Sequence, residues 1–153
     1  MKVLSFSTFI FLSLFNLSSS ALPMLNSGLP NSKLTPGSVY TTATLNQICS
    51  SGYTKTVRSV SASTKKKVFA LYGIEPKSDR YEMDHLISLE LGGDNDIKNL
   101  WPQSMTTQPY NAKRKNALEN KLNNLVCLRK LTLKQAQDEI KLNWVEAYKK
   151  YIK

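Results

Sequence analysis

The residues best suited to chemistry lie near the middle of the chain. Asp84 and His85 are adjacent, Asn99 follows after thirteen residues, and Asn111 after eleven more. His85 is the one histidine in 153 residues. An imidazole with an ordinary pKa near ~6.5 exchanges protons at neutral pH, so His85 suits a general base. On a regular strand Asp84 points to the face opposite His85. The pair can serve one site only where the strand is irregular or ends. Taken alone, an Asp-His pair is more often structural than catalytic, and Asn99 and Asn111 are turn and helix-cap residues. The inventory also excludes chemistry. A Ser-His-Asp hydrolase, or any histidine metal site, would have to be built on His85. Two cysteines and one histidine do not complete a structural zinc site.

The elements that must position these residues can be read from apolar spacing and turn signals. Leu86, Ile87, Leu89 and Leu91 run into Gly92-Gly93-Asp94-Asn95, a strong turn signal. Asn99-Leu100-Trp101 reads as a brief return strand ended by Pro102, so a strand, a loop and a strand bring Asn99 beside His85. Trp101, between Leu100 and Pro102, reads as core. Asn111 to Leu128 fits a helix by apolar spacing. Thr132 to Tyr151 is the clearest helix, opened by a Thr132–Gln135 capping box. Thr64 is placed to cap a short helix from Lys65 to Tyr72, with Gly73 as its stop. Gly52 to Val60 is rich in β-branched residues and is predicted as a short strand.

The stretch YEMDHLISLELGGDNDIKNLWPQ, followed by NAKRKNALEN, resembles the HNH nucleases, whose site is a ββα-metal motif. It is similar to the Asp-His…Asn…Asn variety found in the HNH domain of CRISPR effector nucleases and in small secreted bacterial HNH proteins. The residues that carry the likeness are Asp84-His85-Leu86, Leu89-Glu90-Leu91-Gly92-Gly93, Asn95-Asp96 and Asn99-Leu100-Trp101-Pro102-Gln103. The core likeness covers Tyr81 to Asn120, and a looser one reaches GYTKTVR and the C-terminal helix. The resemblance implies an α+β fold: a ββα-metal core flanked by an N-terminal helix and a long C-terminal helix. It implies a phosphodiester hydrolase with His85 as base, Asn99 orienting it, and Asp84 and Asn111 as metal ligands. Colicin-type members carry histidine where this chain has Asp84 and Lys115. A lysine has no lone pair for a metal at neutral pH. The implied ligands are then one carboxylate and one amide, hard donors that suit a single Mg²⁺ or Mn²⁺. The implied substrate is DNA, with RNA left open. Arg80, Lys113, Arg114 and Lys115 are candidate phosphate contacts. Glu119, four residues after Lys115, is its expected ion-pair partner.

Charge supports a polyanion partner. Lys and Arg number 21 against 11 Asp and Glu, for a net +10. Glu75 to Asp96 is an acidic island of seven acids and two bases between basic arms, and it contains Asp84 and His85. Residues 1–21 read as a signal peptide, with Lys2 before an apolar run and Ser19-Ser20-Ala21 as the cleavage site. That reading predicts a secreted or periplasmic protein with no membrane segment after cleavage. It also predicts a disulfide between Cys49 and Cys127, with free thiols as the alternative if export fails. Residues 22–46 read as a loose arm and 47–153 as one nuclease domain, a monomer. Two rival readings stand beside the nuclease. One is a non-catalytic module that binds DNA or another polyanion through a vestigial site. The other is an exported toxin or effector nuclease, whose immunity protein the sequence does not identify.

Overall fold

Capping and apolar spacing build the two long helices. The computed structural model describes residues 28–76 and 79–152, so the signal segment and residues 22–27 lie outside it. Helices α1 (Leu45–Ile48), α2 (Tyr53–Val57) and α3 (Ala62–Leu71) precede a hairpin of β1 (Tyr81–His85) and β2 (Leu100–Ser104). Helices α4 (Ala112–Cys127) and α5 (Leu133–Tyr151) follow. The protein is thus a mix of helices with a small two-stranded antiparallel sheet. Among the described residues no helix is long and apolar enough to cross a membrane.

Asn111 caps α4 by accepting from the Arg114 amide at 3.3 Å. Ala112, Leu118, Leu122 and Val126 then form its buried stripe. The Thr132–Gln135 capping box is present at the start of α5. Within α5, Asn143 leaves helical geometry at φ −164° and ψ 95°. Its side chain accepts from the amides of Val145 and Glu146 at 3.1 and 3.2 Å, recapping the last two turns. The bend seats Trp144 fully in the core. Leu118, Leu122, Val126, Ile140 and Trp144 pack with Ile87 and Leu91 of the hairpin loop. A second cluster sets Val68 and Tyr72 against Leu86, Leu100 and Trp101, with Trp101 in the core as its neighbours suggest. The loop from 86 to 98 therefore joins two cores.

Gly93 is required in that loop by close approach. A Cβ there would stand 1.8 Å from the Ile87 carbonyl oxygen. Gly92 ends a single 3₁₀ turn (Leu89–Leu91) at φ 75°, a left-handed conformation that favours glycine.

Three local expectations need correction. Residues 53–57 form a helical turn rather than a strand. Gly52, at φ 82°, lets the chain enter that turn, and the buried Tyr53 ring anchors it. Packing has overridden the β preference of Thr54, Thr56 and Val57. Helix α3 starts earlier than expected because Ser61, not Thr64, accepts at its N-cap. Strand β2 runs through Pro102 to Ser104, paired Met83 to Pro102 and Tyr81 to Ser104. A two-stranded sheet has two edges, and an edge tolerates a residue without an N–H.

The arm is not loose from residue 28 onward. The buried Thr35 hydroxyl donates to the Leu100 carbonyl at 2.9 Å and bonds the Tyr72 hydroxyl at 2.7 Å. Val39 bridges Gly93, and the Ser38 hydroxyl donates to Asp94 at 2.6 Å. Low apolar content concealed these polar anchors.

Cys49 and Cys127 are joined in a disulfide with Cα atoms 5.6 Å apart, tying the end of α1 to the end of α4. It spans 78 residues of sequence. In the loop-entropy account, replacing both cysteines by alanine lowers the unfolding free energy by about 4 kcal/mol. Urea unfolding of the double variant checks this, and a loss below about 1 kcal/mol contradicts it.

Candidate functional site

Strand β1 ends at His85, which is how two consecutive side chains come to share one site. Asp84 and His85 both line a cleft of about 220 Å³, together with Glu82, Arg58, Asn116 and Glu119. The cleft lies where β1, α4 and the link between α2 and α3 meet. A larger cavity of about 450 Å³, between Leu29–Pro36 and the bend of α5, has a largely apolar lining and no acid or histidine.

His85 is buried and its Nε2 lies 3.0 Å from Asn95 Oδ1. The orientation of Asn95 is fixed by partners with a single possible role. Its Nδ2 donates to the Val57 carbonyl at 2.7 Å, and its Oδ1 accepts from the Ser59 amide at 3.3 Å. A second Nδ2 bond goes to the Tyr40 hydroxyl at 2.6 Å. The oxygen therefore faces His85, so neutral His85 must carry its proton on Nε2 and its lone pair on Nδ1. Burial pushes the His85 pKa below its ordinary value, against the Asn95 hydrogen bond and the Asp84 charge, which raise it.

Asn99 does not orient the imidazole as expected. Its side chain accepts from the Ile87 amide at 2.9 Å and donates to the Ile87 and Asp94 carbonyls at 3.0 and 2.9 Å. Its carbonyl accepts from the Leu86 amide at 2.7 Å. With its polar groups committed to the loop and to the Ser38 amide, Asn99 shapes the segment that carries Asn95.

Lys115 is the second correction. It was a candidate phosphate contact, but it is fully buried. Its ammonium lies 2.8 Å from Asp84 Oδ2, donates to the His85 carbonyl at 2.7 Å and bonds the expected partner, Glu119. Trp101 Nε1 donates to the same Asp84 oxygen at 3.1 Å. Burial alone would lower the Lys115 pKa, but Asp84 and Glu119 outweigh it and hold it above the ordinary value. Burial, and with it the charge of Asp84, push Glu119 up to about 7 despite Lys115.

The other expected residues are spread along the surface. Asn111 is spent as the cap of α4 and is not among the residues lining the cleft; Asn116, five residues on, is. Lys113 and Arg114 are exposed on α4. Arg114 donates to the Tyr148 hydroxyl at 2.6 Å. Arg80 lies just before β1, where its carbonyl accepts from the Met105 amide. Asn95, Arg58, Asn116 and Glu82 carry no site role in the sequence, and Glu119 is expected there only as the partner of Lys115, not as a residue of the cleft. Asn116 and Glu119 could have been found from the helical face of Lys115 and Leu118, which must meet β1. Asn95 and Arg58 carry no such signal, because their place depends on how loops fold back.

The donors bear on whether a cation fits. Among the described residues no group of three His, Cys, Asp or Glu could hold a metal. The cleft instead offers the carboxylates of Glu82 and Asp84 and the Asn116 amide. Burial, and then the charge of Asp84, push the Glu82 pKa up against the lowering charges of Lys115 and Arg58. Gln103, across the hairpin from Glu82, has a buried amide with no partner on either atom. The oxygens of Glu82, Asp84 and Asn116 fit a hard divalent ion held by one or two protein ligands and completed by water or phosphate.

Two measurements check this geometry. With one histidine, the ¹⁵N spectrum should show a single imidazole in the Nε2–H form, titrating below 6.5. Asn95→Asp sets a carboxylate against it and should raise that pKa, whereas Asn95→Ala should lower it. A wild-type Nδ1–H form contradicts the assignment. Separately, Lys115→Met strands two buried carboxylates and should cost about 3–5 kcal/mol in urea unfolding. A cost below about 1 kcal/mol contradicts the buried triad. Comparison with known proteins finds no matching family model, no matching curated protein and no matching solved structure.

Proposed function

We propose that the protein is a metal-dependent endonuclease of the HNH kind, hydrolysing DNA phosphodiesters with little sequence preference. The observation that carries the proposal is the shared cleft of Asp84 and His85, with the imidazole lone pair directed to Nδ1 by Asn95. The order β1, β2, α4 and the motif from Tyr81 to Asn120 support a ββα-metal reading of the core.

Hydrolysis needs a base for water, a hold on the phosphate and relief of charge on the leaving oxygen. His85 Nδ1 takes the proton as the water oxygen bonds phosphorus. The bond from phosphorus to the 3′-oxygen breaks, and that oxygen takes a proton from solvent. A 5′-phosphate and a 3′-hydroxyl result. Asp84 is held by Lys115 and Trp101 through Oδ2, which leaves Oδ1 as the ligand oxygen. Asn116 takes the role expected of Asn111, since it shares the cleft. Asp84 and Asn116 would hold Mg²⁺ or Mn²⁺ here, and the ion would supply Lewis-acid stabilisation of the charge that develops in hydrolysis. The disulfide and the signal-like residues 1–21 support export.

A plasmid-nicking assay on the purified protein tests the proposal. Mg²⁺ at low salt should give nicked circles, and EDTA should abolish them. His85→Ala should lower the rate by about 10²-fold or more. Activity should fall as the pH drops through the His85 pKa, below 6.5, because the base must be neutral. Raising salt should weaken binding steeply. An inert wild type with either metal sinks the enzyme reading and favours the polyanion-binding rival. A His85→Ala variant as fast as wild type removes His85 as the base.

A further inference from the structure

A second cavity opens beside the cleft, and the two differ sharply in charge. This groove of about 440 Å³ is lined by Arg58, Ser61, Thr64, Lys65, Met83 and His85 among others, and no carboxylate lines it. The cleft of about 220 Å³ is lined by Glu82, Asp84 and Glu119. Arg58, Met83 and His85 line both. His85 thus stands on a boundary, with carboxylates on one side and cationic side chains and hydroxyls on the other.

Arg58 is held at that boundary by its backbone. The Val57 carbonyl and the Ser59 amide, on either side of it, bond the Asn95 amide that also holds the His85 ring. One side chain therefore fixes the spacing between the imidazole and the residue that carries the guanidinium. Among the described residues the Arg58 side chain makes no ion pair with an acid, although its charge reaches Glu82, Glu90 and His85. An arginine that neutralised the acidic cleft for stability would close on Glu82 or Glu90. Arg58 is exposed, and its donors remain available. A planar guanidinium with paired N–H groups matches two oxygens of one phosphate.

We infer that this groove binds the phosphodiester strand of the substrate. Arg58 grips the phosphate next to His85, and Lys65 meets the adjoining one. The strand enters over the link between α2 and α3, so its backbone spans the boundary between groove and cleft. This deepens the nuclease reading and rests on it for the identity of the gripped phosphate as the one cut. The assignment of Lys65 separates it from its neighbours Lys66 and Lys67, which do not line the groove.

The test is fluorescence anisotropy of the full protein with a labelled dodecathymidylate in EDTA, where no cleavage intervenes. Arg58→Ala should weaken binding about tenfold, and the slope of log affinity against log salt should fall by about one. Arg58→Lys should recover the slope but only part of the affinity, because it keeps the charge and loses the fork. Lys65→Ala should weaken binding about threefold. The lone imidazole resonance of each variant reports that the site has kept its fold. Unchanged affinity and slope in Arg58→Ala overturn the inference, as does loss of binding confined to Lys113→Ala and Arg114→Ala, which would put the strand on α4. A wild type that does not bind the oligonucleotide overturns it as well. Binding that depends on Arg58, in a protein that never nicks DNA, upholds the groove and sinks the nuclease reading alone.

Discussion

A buried ammonium ties the candidate site to the fold. Lys115 has no exposed surface, and an uncompensated charge there would cost several kcal/mol. It is compensated by Asp84, by Glu119 and by the carbonyl of His85. These partners belong to β1 and to the next turn of α4 itself, so one cation fixes how α4 meets the end of β1. Trp101 brings β2 into the same arrangement through its bond to Asp84. The consequence for chemistry is direct. Asp84 presents a carboxylate with one oxygen already used, rotation restricted, and a permanent positive charge at its back.

Asn95 does for the loops what Lys115 does for the regular elements. Its amide gathers Tyr40 from the N-terminal segment, Val57 and Ser59 from the α2–α3 link, and His85 from β1. Apart from β1, none of these segments has a strong structure of its own. Asn99 prepares the position by filling the loop with hydrogen bonds to Ile87 and Asp94. Gly93 allows the loop to approach the Ile87 carbonyl. The imidazole thus receives its tautomer from a residue that is itself placed by two distant parts of the chain.

How much of this was legible follows from the range of the forces involved. The capping box of α5, the Asn111 cap and the apolar stripes are local, and they could be read from spacing. The pairing of Asp84 and His85 with the return strand at Trp101 was legible as well, because the motif spans a single hairpin. The Lys115–Glu119 pair is an i, i+4 contact and was expected. The burial of Lys115 was not, since its compensating partner Asp84 is thirty-one residues away in sequence. Helix α2 and the packed segment from residue 28 were hidden for the same reason. Tyr53 burial and the Thr35 bonds are tertiary, and they overrode β-branched preference and polar composition. Asn111 matched the spacing of the motif but not the face of the helix, and the face decides what reaches a cleft.

The central claim is that His85, held by Asn95, is the base of a phosphodiester hydrolase. The most direct measurement pairs two midpoints on the same protein. One is the acid limb of kcat/KM for DNA nicking, which reports the essential base of the free enzyme. The other is the titration of the single imidazole followed by NMR. The two midpoints should coincide below 6.5 and both should move upward together in Asn95→Asp. A rate profile that stays in place while the imidazole midpoint moves would contradict the claim.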